Sequence, residues 1–293
     1  MHMAFPSDVA AFDTMLGVPS NRDSWQRDFG NLVRDKASSD LKHPGGYMFK
    51  DLPEVDASVG YPDFLIAEMD KFNIEFGLVP VSFAEGDIGR AAVLAHPGRL
   101  FGSMLVDPNR GIDAIRDLER GVREADVKAA ATFPSGLSPQ VPINDKKMYP
   151  LYATCVELDI PIFINAGVPG PRFPMYPQKV ELIDEVMYDF PELTLVTRHG
   201  CEPWTDLAIK LMLKWPGLHY STSAFAPKHY PQDIVRYANT RGAEKVIYAG
   251  YFPSGLSLER IFRELPGVGF KDEVWPKFLR ENALRVLRLE DRA

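Results

Sequence analysis

The sequence predicts an α/β protein of one domain: a single (β/α)8 barrel, the TIM-barrel architecture, with a long insertion after the first strand over 21–63. Three observations carry this. Eight short apolar runs alternate with amphipathic segments, the mark of right-handed β-α-β crossovers and a parallel sheet. The chain has 293 residues, 45% of them hydrophobic, ample for one large core, and α/β barrels of this size are commonly single domains. No GxGxxG or GxxxxGKS/T string follows an early run, as a doubly wound open sheet would normally show.

Taken in order, Phe12 to Val18 (FDTMLGV) is the first apolar run, closed by Pro19 and Ser20. The insertion has no clear period and holds the string HPGGYMFKDLP. A loop this long in a compact domain is usually functional or wrongly assigned; it is expected as an excursion over the mouth of the fold, with room for short helices. Beyond Pro62 the pattern is regular. Strands are predicted at Phe76–Val81, Leu100–Val106, Val127–Phe133, Ile160–Ala166, Leu193–Thr197, Leu218–Ser223 and Val246–Phe252. Pro80 places the end of its strand near an edge or bulge. Helices are predicted at Phe64–Phe72, Ala84–Ala95, Gly111–Glu124, Asp145–Leu158, Lys179–Phe190, Pro203–Trp215, Pro231–Thr240, Leu256–Leu265 and Asp272–Leu287. In the fourth of these Met148, Leu151, Tyr152, Cys155 and Val156 fall on one face.

Composition narrows the function classes. There are 33 Lys+Arg against 40 Asp+Glu, a net charge of −7. No basic block exists for a phosphate backbone, so nucleic acid is not an expected partner. Cys155 and Cys201 are far apart and neither sits in a CxxC pair, against both a disulfide framework and a thiolate zinc site. The N-terminal MHMAFPSDVA lacks the apolar core of a signal peptide, and no apolar stretch reaches the roughly 18 residues a membrane span needs. The expectation is a cytoplasmic, non-membrane homo-oligomer, a dimer, acting on a small-molecule substrate.

The chemistry concentrates in Leu193 to Trp204, LTLVTRHGCEPW. A buried run ends abruptly in Arg198, His199, Gly200, Cys201 and Glu202, and Pro203 then suits the first position of a helix. In a barrel the active site lies at the carboxyl ends of the strands. Polar residues there are Asp13, Ser82, Asp107, Thr132, Asn165, Arg198 with His199 and Glu202, Ser221 with Ser223, and Tyr251. Each has a bland alternative: Asp107 before Pro108 as a turn residue, Asn165 as a loop cap, Ser221 and Ser223 as barrel filling, Arg198 and Glu202 as an ion pair. Three ionisable groups within five residues favour the sixth strand as the site. Among other histidines, His96 and His219 read as structural. His229 lies in the loop after the seventh strand and could line the mouth; His43 and Lys50, in the insertion, could reach in from above.

Several strings resemble a known family: HPGRLFGSMLVDP, LYATCVELDIPIFINAG, VMYDFPELTLVTRHG and LERIF…ENALRVL are similar to amidohydrolase-related barrels, the group around aminocarboxymuconate-semialdehyde decarboxylase and the resorcylate-type decarboxylases. The likeness runs from about His96 to the C-terminus, with a weaker match at Phe12–Gly17. It implies a metal signature, from which this chain departs. Asp13 matches the opening acid of a first-strand D-x-H-x-H motif, but Met15 and Gly17 stand where histidines would. Asn165 replaces a fifth-strand histidine, and Tyr251, in AGYFP, replaces the eighth-strand aspartate. His199 is kept, and Glu202 matches an acid seen in decarboxylase-like members. Transition metals want several imidazole, thiolate or carboxylate ligands, so no metal and no cofactor is expected; His43 or His229 rebuilding a site is the alternative.

Two function classes follow. The first is a metal-independent hydrolase of a small cyclic or aromatic carbonyl compound (lactone, ester or activated C–C bond), or alternatively a decarboxylase of an aromatic or unsaturated acid. His199, whose ordinary pKa is near neutrality, would be acid or base, oriented by Glu202 or Asp13. Arg198, Asn165, Tyr251, His229 and His43 would hold substrate. Cys201 is a weaker candidate nucleophile, since buried cysteines are more often inert packing. The second class is a non-catalytic binding barrel plugged by Tyr251, Met15 and Phe252.

Overall fold

The computed structural model of the chain describes residues 5–6, 8–19, 22–41, 45–49, 53, 55 and 60–292. Eight strands run in sequence order through one sheet: β1 Ala11–Asp13, β2 Ile74–Val81, β3 Leu100–Leu105, β4 Val127–Thr132, β5 Ile162–Asn165, β6 Leu195–Arg198, β7 Leu218–Ser221 and β8 Val246–Ile247. Every neighbouring pair is parallel. The helices are α1 Arg22–Phe29, α2 Lys36–Ser39, α3 Tyr61–Lys71, α4 Ile88–Ala95, α5 Ile112–Glu124, α6 Tyr149–Glu157, α7 Ile183–Asp189, α8 Thr205–Lys214, α9 Gln232–Ala238, α10 Leu258–Glu264 and α11 Asn282–Val286. This is the α/β barrel that the alternation predicts. No helix among the described residues is long and apolar enough to cross a membrane.

Both first and last strands are shorter than their apolar runs, and for one reason. Their continuations are spent on closing the barrel. Thr14 donates from its N–H and its Oγ1 to the Tyr248 carbonyl, at 3.4 and 2.8 Å. Tyr251 N–H reaches Met15 O at 3.1 Å, and Gly17 N–H reaches Phe252 O at 2.6 Å. The Asp13 carboxylate accepts the Gly250 N–H at 2.9 Å. Single bonds of this kind, rather than a ladder, hold the β8–β1 seam. Pro80 lies beyond Gly77, the last partner β1 offers, where β2 pairs with β3 alone; its missing N–H is tolerated there.

Two cores result. One lies between sheet and helices. The other fills the barrel: Phe12, Phe76, Leu78, Phe101, Ala129, Ala131, Phe163, Val196 and Ile247 point inward, two each from β2 and β4 and one each from β1, β3, β5, β6 and β8. Phe12, Phe76 and Phe101 pack ring on ring, 5.5 to 6.0 Å between centroids. Burying such a ring stabilises by about 1.5–3 kcal/mol. Ala283, Leu284, Val286, Leu287 and Leu289 of the C-terminal segment plug the amino-terminal floor. That segment, expected as one helix, is a 3-10 turn at Asp272–Val274, a π turn at Lys277–Glu281 and then α11. Helix α8 likewise starts at Thr205 and not at Pro203: Trp204 N–H turns back to Cys201 O at 2.8 Å.

With the floor plugged, the open end is the carboxyl ends of the strands. The described part of 21–63 packs against loops at that end. Phe29 of α1 meets Phe133 after β4 and Phe173 after β5, at 5.7 and 6.1 Å. Asn31 donates to Ser138 Oγ at 2.8 Å, Arg172 pairs with Asp35 at 2.8 Å, and Phe49 lies 5.7 Å from Tyr251.

Candidate active site

Inward-facing residues alternate along each strand. Two residues after Phe163, Val196 and Phe101 the same faces carry Asn165, Arg198 and Ser103, so a polar tier sits on the aromatic one. Arg198 dominates it. The residue is only 8% exposed. Its guanidinium lies 4.8 Å above the Phe163 ring and reaches across the barrel to Ser103 Oγ on β3, at 3.5 Å. Its Nε has no hydrogen-bond partner, and no carboxylate pairs with it among the described residues. Burial pulls its pKa down to about 10, against the favourable pull of Tyr251. The bland Arg198–Glu202 pairing is therefore not made. A buried cation without an anion is costly.

His199 follows, at the rim. Its φ is +64°, and Gly200 and Cys201 continue at +89° and +57°. Tyr251 has φ +71° and Ala224 +68°. Left-handed backbone at non-glycine residues costs free energy and clusters at functional sites. The His199 N–H donates to Ser223 Oγ at 3.1 Å, and Nδ1 of the ring sits 3.2 Å from the same oxygen. Ser221 Oγ lies 3.5 Å further on and donates to Thr197 O. We assign the Ser223 proton to Nδ1, which leaves Nε2 carrying the ring proton. The Tyr251 ring meets the imidazole edge-on at 5.2 Å.

Electrostatics revise the role of His199. Burial first, then the Arg198 charge, lower its pKa to about 3. At neutral pH it is a neutral imidazole, a donor or a weak base, and not a cationic acid. Tyr251 moves the other way: burial raises its phenol to about 12, though Arg198 opposes this. The phenol keeps its proton.

The remaining expected site residues divide. Asn165 is half-buried at the end of β5, paired in register with Arg198, so it belongs to the tier. Asp13 does not orient His199. It is fully buried in the seam, where its Oδ1 accepts the N–H groups of Met15 and Gly250, both at 2.9 Å, and its Oδ2 has no partner. Burial raises its carboxyl to about 6 in spite of those bonds. Glu202 is exposed and makes no hydrogen bond to His199; the ring's partner is Ser223, for which the sequence left both a site role and barrel filling open. His229 is exposed on a short 3-10 turn that packs toward α10, away from the tier. His43 and Lys50 lie outside the described residues. Cys201 is buried, and burial raises its thiol to about 12, so it is no thiolate nucleophile. Ser82 and Asp107 are turn residues: Ser82 bonds Asp87 at 2.5 Å and Asp107 accepts the Asn109 N–H at 2.9 Å. Ser103 was missed; its signal was a lone hydroxyl two residues after Phe101 in a buried run.

The metal signature implied by the resemblance fails on donor chemistry. The one imidazole of the tier has its Nδ1 engaged by Ser223 and a guanidinium beside it. Asp13 has one oxygen committed to backbone and lies in the seam, and Met15, Asn165 and Tyr251 are poor ligands for transition metals. Among the described residues no three of His, Cys, Asp and Glu converge. The residues do not fit a divalent ion.

Comparison with known proteins agrees with this architecture. An uncharacterized TIM-barrel protein from Bordetella bronchiseptica superposes with a TM-score of 0.70 at 20% identity, over 96% of this chain and 98% of its own. The 5-carboxyvanillate decarboxylase of Novosphingobium aromaticivorans, solved with manganese and a nitrobenzoic acid, gives 0.67 at 16% identity, over 97% and 98%. The 2,6-dihydroxybenzoate decarboxylase from Rhizobium gives 0.64 at 13%, over 96% and 99%. At these identities the likeness shows the fold alone. No protein of curated function matches by sequence. The sequence model of the Amidohydrolase family matches residues 82–289. That span covers β3 through α11 and the Arg198–His199 strand end, well over half of the chain, and the protein belongs to the amidohydrolase family.

Proposed function

We propose that this family member is a carbon–carbon lyase that decarboxylates an aromatic or unsaturated carboxylic acid. The observation that carries the reading is Arg198, a buried guanidinium at the mouth of the barrel that faces no carboxylate among the described residues. A planar fork of N–H donors matches a carboxylate, and an anionic substrate would offset its burial. The family match is compatible with either chemistry, and the two decarboxylases among similar folds support the lyase reading over the hydrolase one.

In this reading the chain binds, orients and protonates. Arg198 holds the carboxylate, with Asn165 at its side. Tyr251 O–H gives its proton to the ring carbon that bears the carboxylate; the carbon–carbon bond then breaks and carbon dioxide leaves. The Tyr251 phenolate regains a proton from water. Positive charge from Arg198 stabilises that phenolate as it forms. His199, neutral and held by Ser223, donates from Nε2 to a second oxygen of the substrate. Hydrolysis of a lactone or ester is the second reading, with His199 as base; a pKa near 3 makes it a weak one.

The test is a panel of hydroxybenzoic acids, 5-carboxyvanillate and 2,6-dihydroxybenzoate included, beside aryl esters and lactones. Carbon dioxide release and ultraviolet loss of the acid are expected. Turnover confined to esters or lactones, followed as acid production in a pH-stat, would replace the lyase by the hydrolase.

A further inference from the structure

We infer that Arg198 is the resident cation of the mouth: its fixed guanidinium seats the substrate carboxylate and keeps a divalent metal ion out. The inference rests on the reading of the mouth as a site for a carboxylic acid, and adds what stands in place of a metal.

Geometry carries it. Arg198 ends β6 one residue before His199, the imidazole of the polar tier. Its side chain spans the barrel interior to Ser103 and is held over the face of Phe163. Both contacts fix the guanidinium without neutralising it. A charge so placed has a large field, because little water screens it. That field already acts on its neighbours: it opposes protonation of His199 and favours the phenolate of Tyr251. A divalent ion on His199 would meet the same repulsion, at twice the charge of a proton.

The other described groups near the tier offer no compensation. Nδ1 of His199 is engaged by Ser223. Asp13 spends one oxygen on two backbone N–H groups inside the seam. Cys201 is buried and holds its proton. A carboxylate meets the opposite situation. It brings the missing negative charge to a guanidinium whose Nε has no partner, and the fork can grip both of its oxygens.

The experiment uses the whole purified chain with two probes, Mn2+ alone and benzoate alone. Spin resonance reports free Mn2+, and intrinsic fluorescence reports benzoate. Wild type is expected to leave millimolar Mn2+ free and to bind benzoate. Arg198→Met should weaken benzoate by at least about thirtyfold, the loss of one charged, bidentate contact. Arg198→Lys, which keeps the charge but not the fork, should fall between. Stoichiometric Mn2+ uptake by wild type that His199→Asn abolishes overturns the inference. So does benzoate binding that is absent from wild type or unchanged in Arg198→Met. If Arg198→Met does not fold, the Lys variant and the Mn2+ measurement still decide. The two readings fail separately. Carbon dioxide release that depends on added Mn2+ overturns the resident-cation inference and leaves the lyase standing. Arg198-dependent benzoate binding without decarboxylation of any acid does the reverse.

Discussion

The mouth and the floor of this barrel each hold a cation and a histidine withdrawn wholly or partly from solvent, and they treat them in opposite ways. At the floor Lys245 donates to three backbone carbonyls, Trp215 and Leu218 at 3.3 and 3.2 Å and Pro216. At the mouth the Arg198 Nε has no acceptor. Burial lowers both, Lys245 to about 8 and Arg198 to about 10. His219 on β7 and His199 after β6 are both driven to about 3, first by burial. Yet His219 sits in extended strand, whereas His199 has φ +64° and a serine partner. The floor satisfies its charge within the fold. The mouth leaves its charge without an anion among the described residues, as a site that awaits an anionic ligand does.

The largest effect that could break this contrast is on turnover. His199→Asn should lower kcat on the acid identified by the panel by about a hundredfold to a thousandfold, the range for losing one positioned hydrogen-bond donor. Because His199 is neutral throughout the working range, the kcat profile should show no inflection near pH 6–7 from an imidazole. His219→Asn should leave kcat near wild type. Equal losses in the two variants, or a His199→Asn that loses only folded protein, would erase the distinction.

How far the sequence went can be told residue by residue. Eight strands were legible because each is a buried run that ends in a polar or turn residue, and burial in a parallel sheet writes itself as continuous apolar sequence. The ends of β1 and β8 were not: FDTMLGV and VIYAGYF read as longer strands, since nothing local tells that Met15 and Tyr251 bond across the seam. Arg198 and His199 were legible from position. Their electrostatics were not, because the pKa of His199 is set by burial and by the arginine beside it in space. Ser223 is 24 residues from His199, and only closure of neighbouring strands joins them. Asp13 looked catalytic because its carboxyl is where the family resemblance puts an acid; the fold turns it into the seam.

A smaller effect concerns that seam and carries a pH sign. Asp13 titrates near 6 in the folded chain against 3.8 for the ordinary side chain. The folded state thus binds the proton more tightly, and stability contributed by this group falls as pH rises from about 4 to about 6. Two pKa units correspond to roughly 3 kcal/mol. Asp13→Asn keeps an oxygen for the Met15 and Gly250 N–H groups and removes the charge. The variant should gain stability over wild type at pH 7, by up to about 3 kcal/mol, and the gain should vanish near pH 4. Urea unfolding of both proteins at the two pH values measures it. A variant destabilised equally at both would mean that the carboxylate, and not its backbone bonds, holds the seam.

The smallest effect returns to the two cations. Lys245→Met keeps the apolar stem and removes the ammonium. The carbonyls of Trp215, Pro216 and Leu218 then lose a shared donor where the turn after α8 enters β7. An unmade hydrogen bond of this kind costs about 1–3 kcal/mol. Lys245 is half-buried, so water can replace part of the donor and a loss of about 1 kcal/mol is expected. Arg198→Met is a change of similar size with the opposite outcome: it removes a charge the fold does not neutralise, so stability should hold or rise. Turnover should be spared by the first and lost in the second. Urea unfolding and kcat on the same preparations give both readouts. Arg198→Met losing as much stability as Lys245→Met would make the guanidinium a structural group, and the mouth would then differ from the floor only in position.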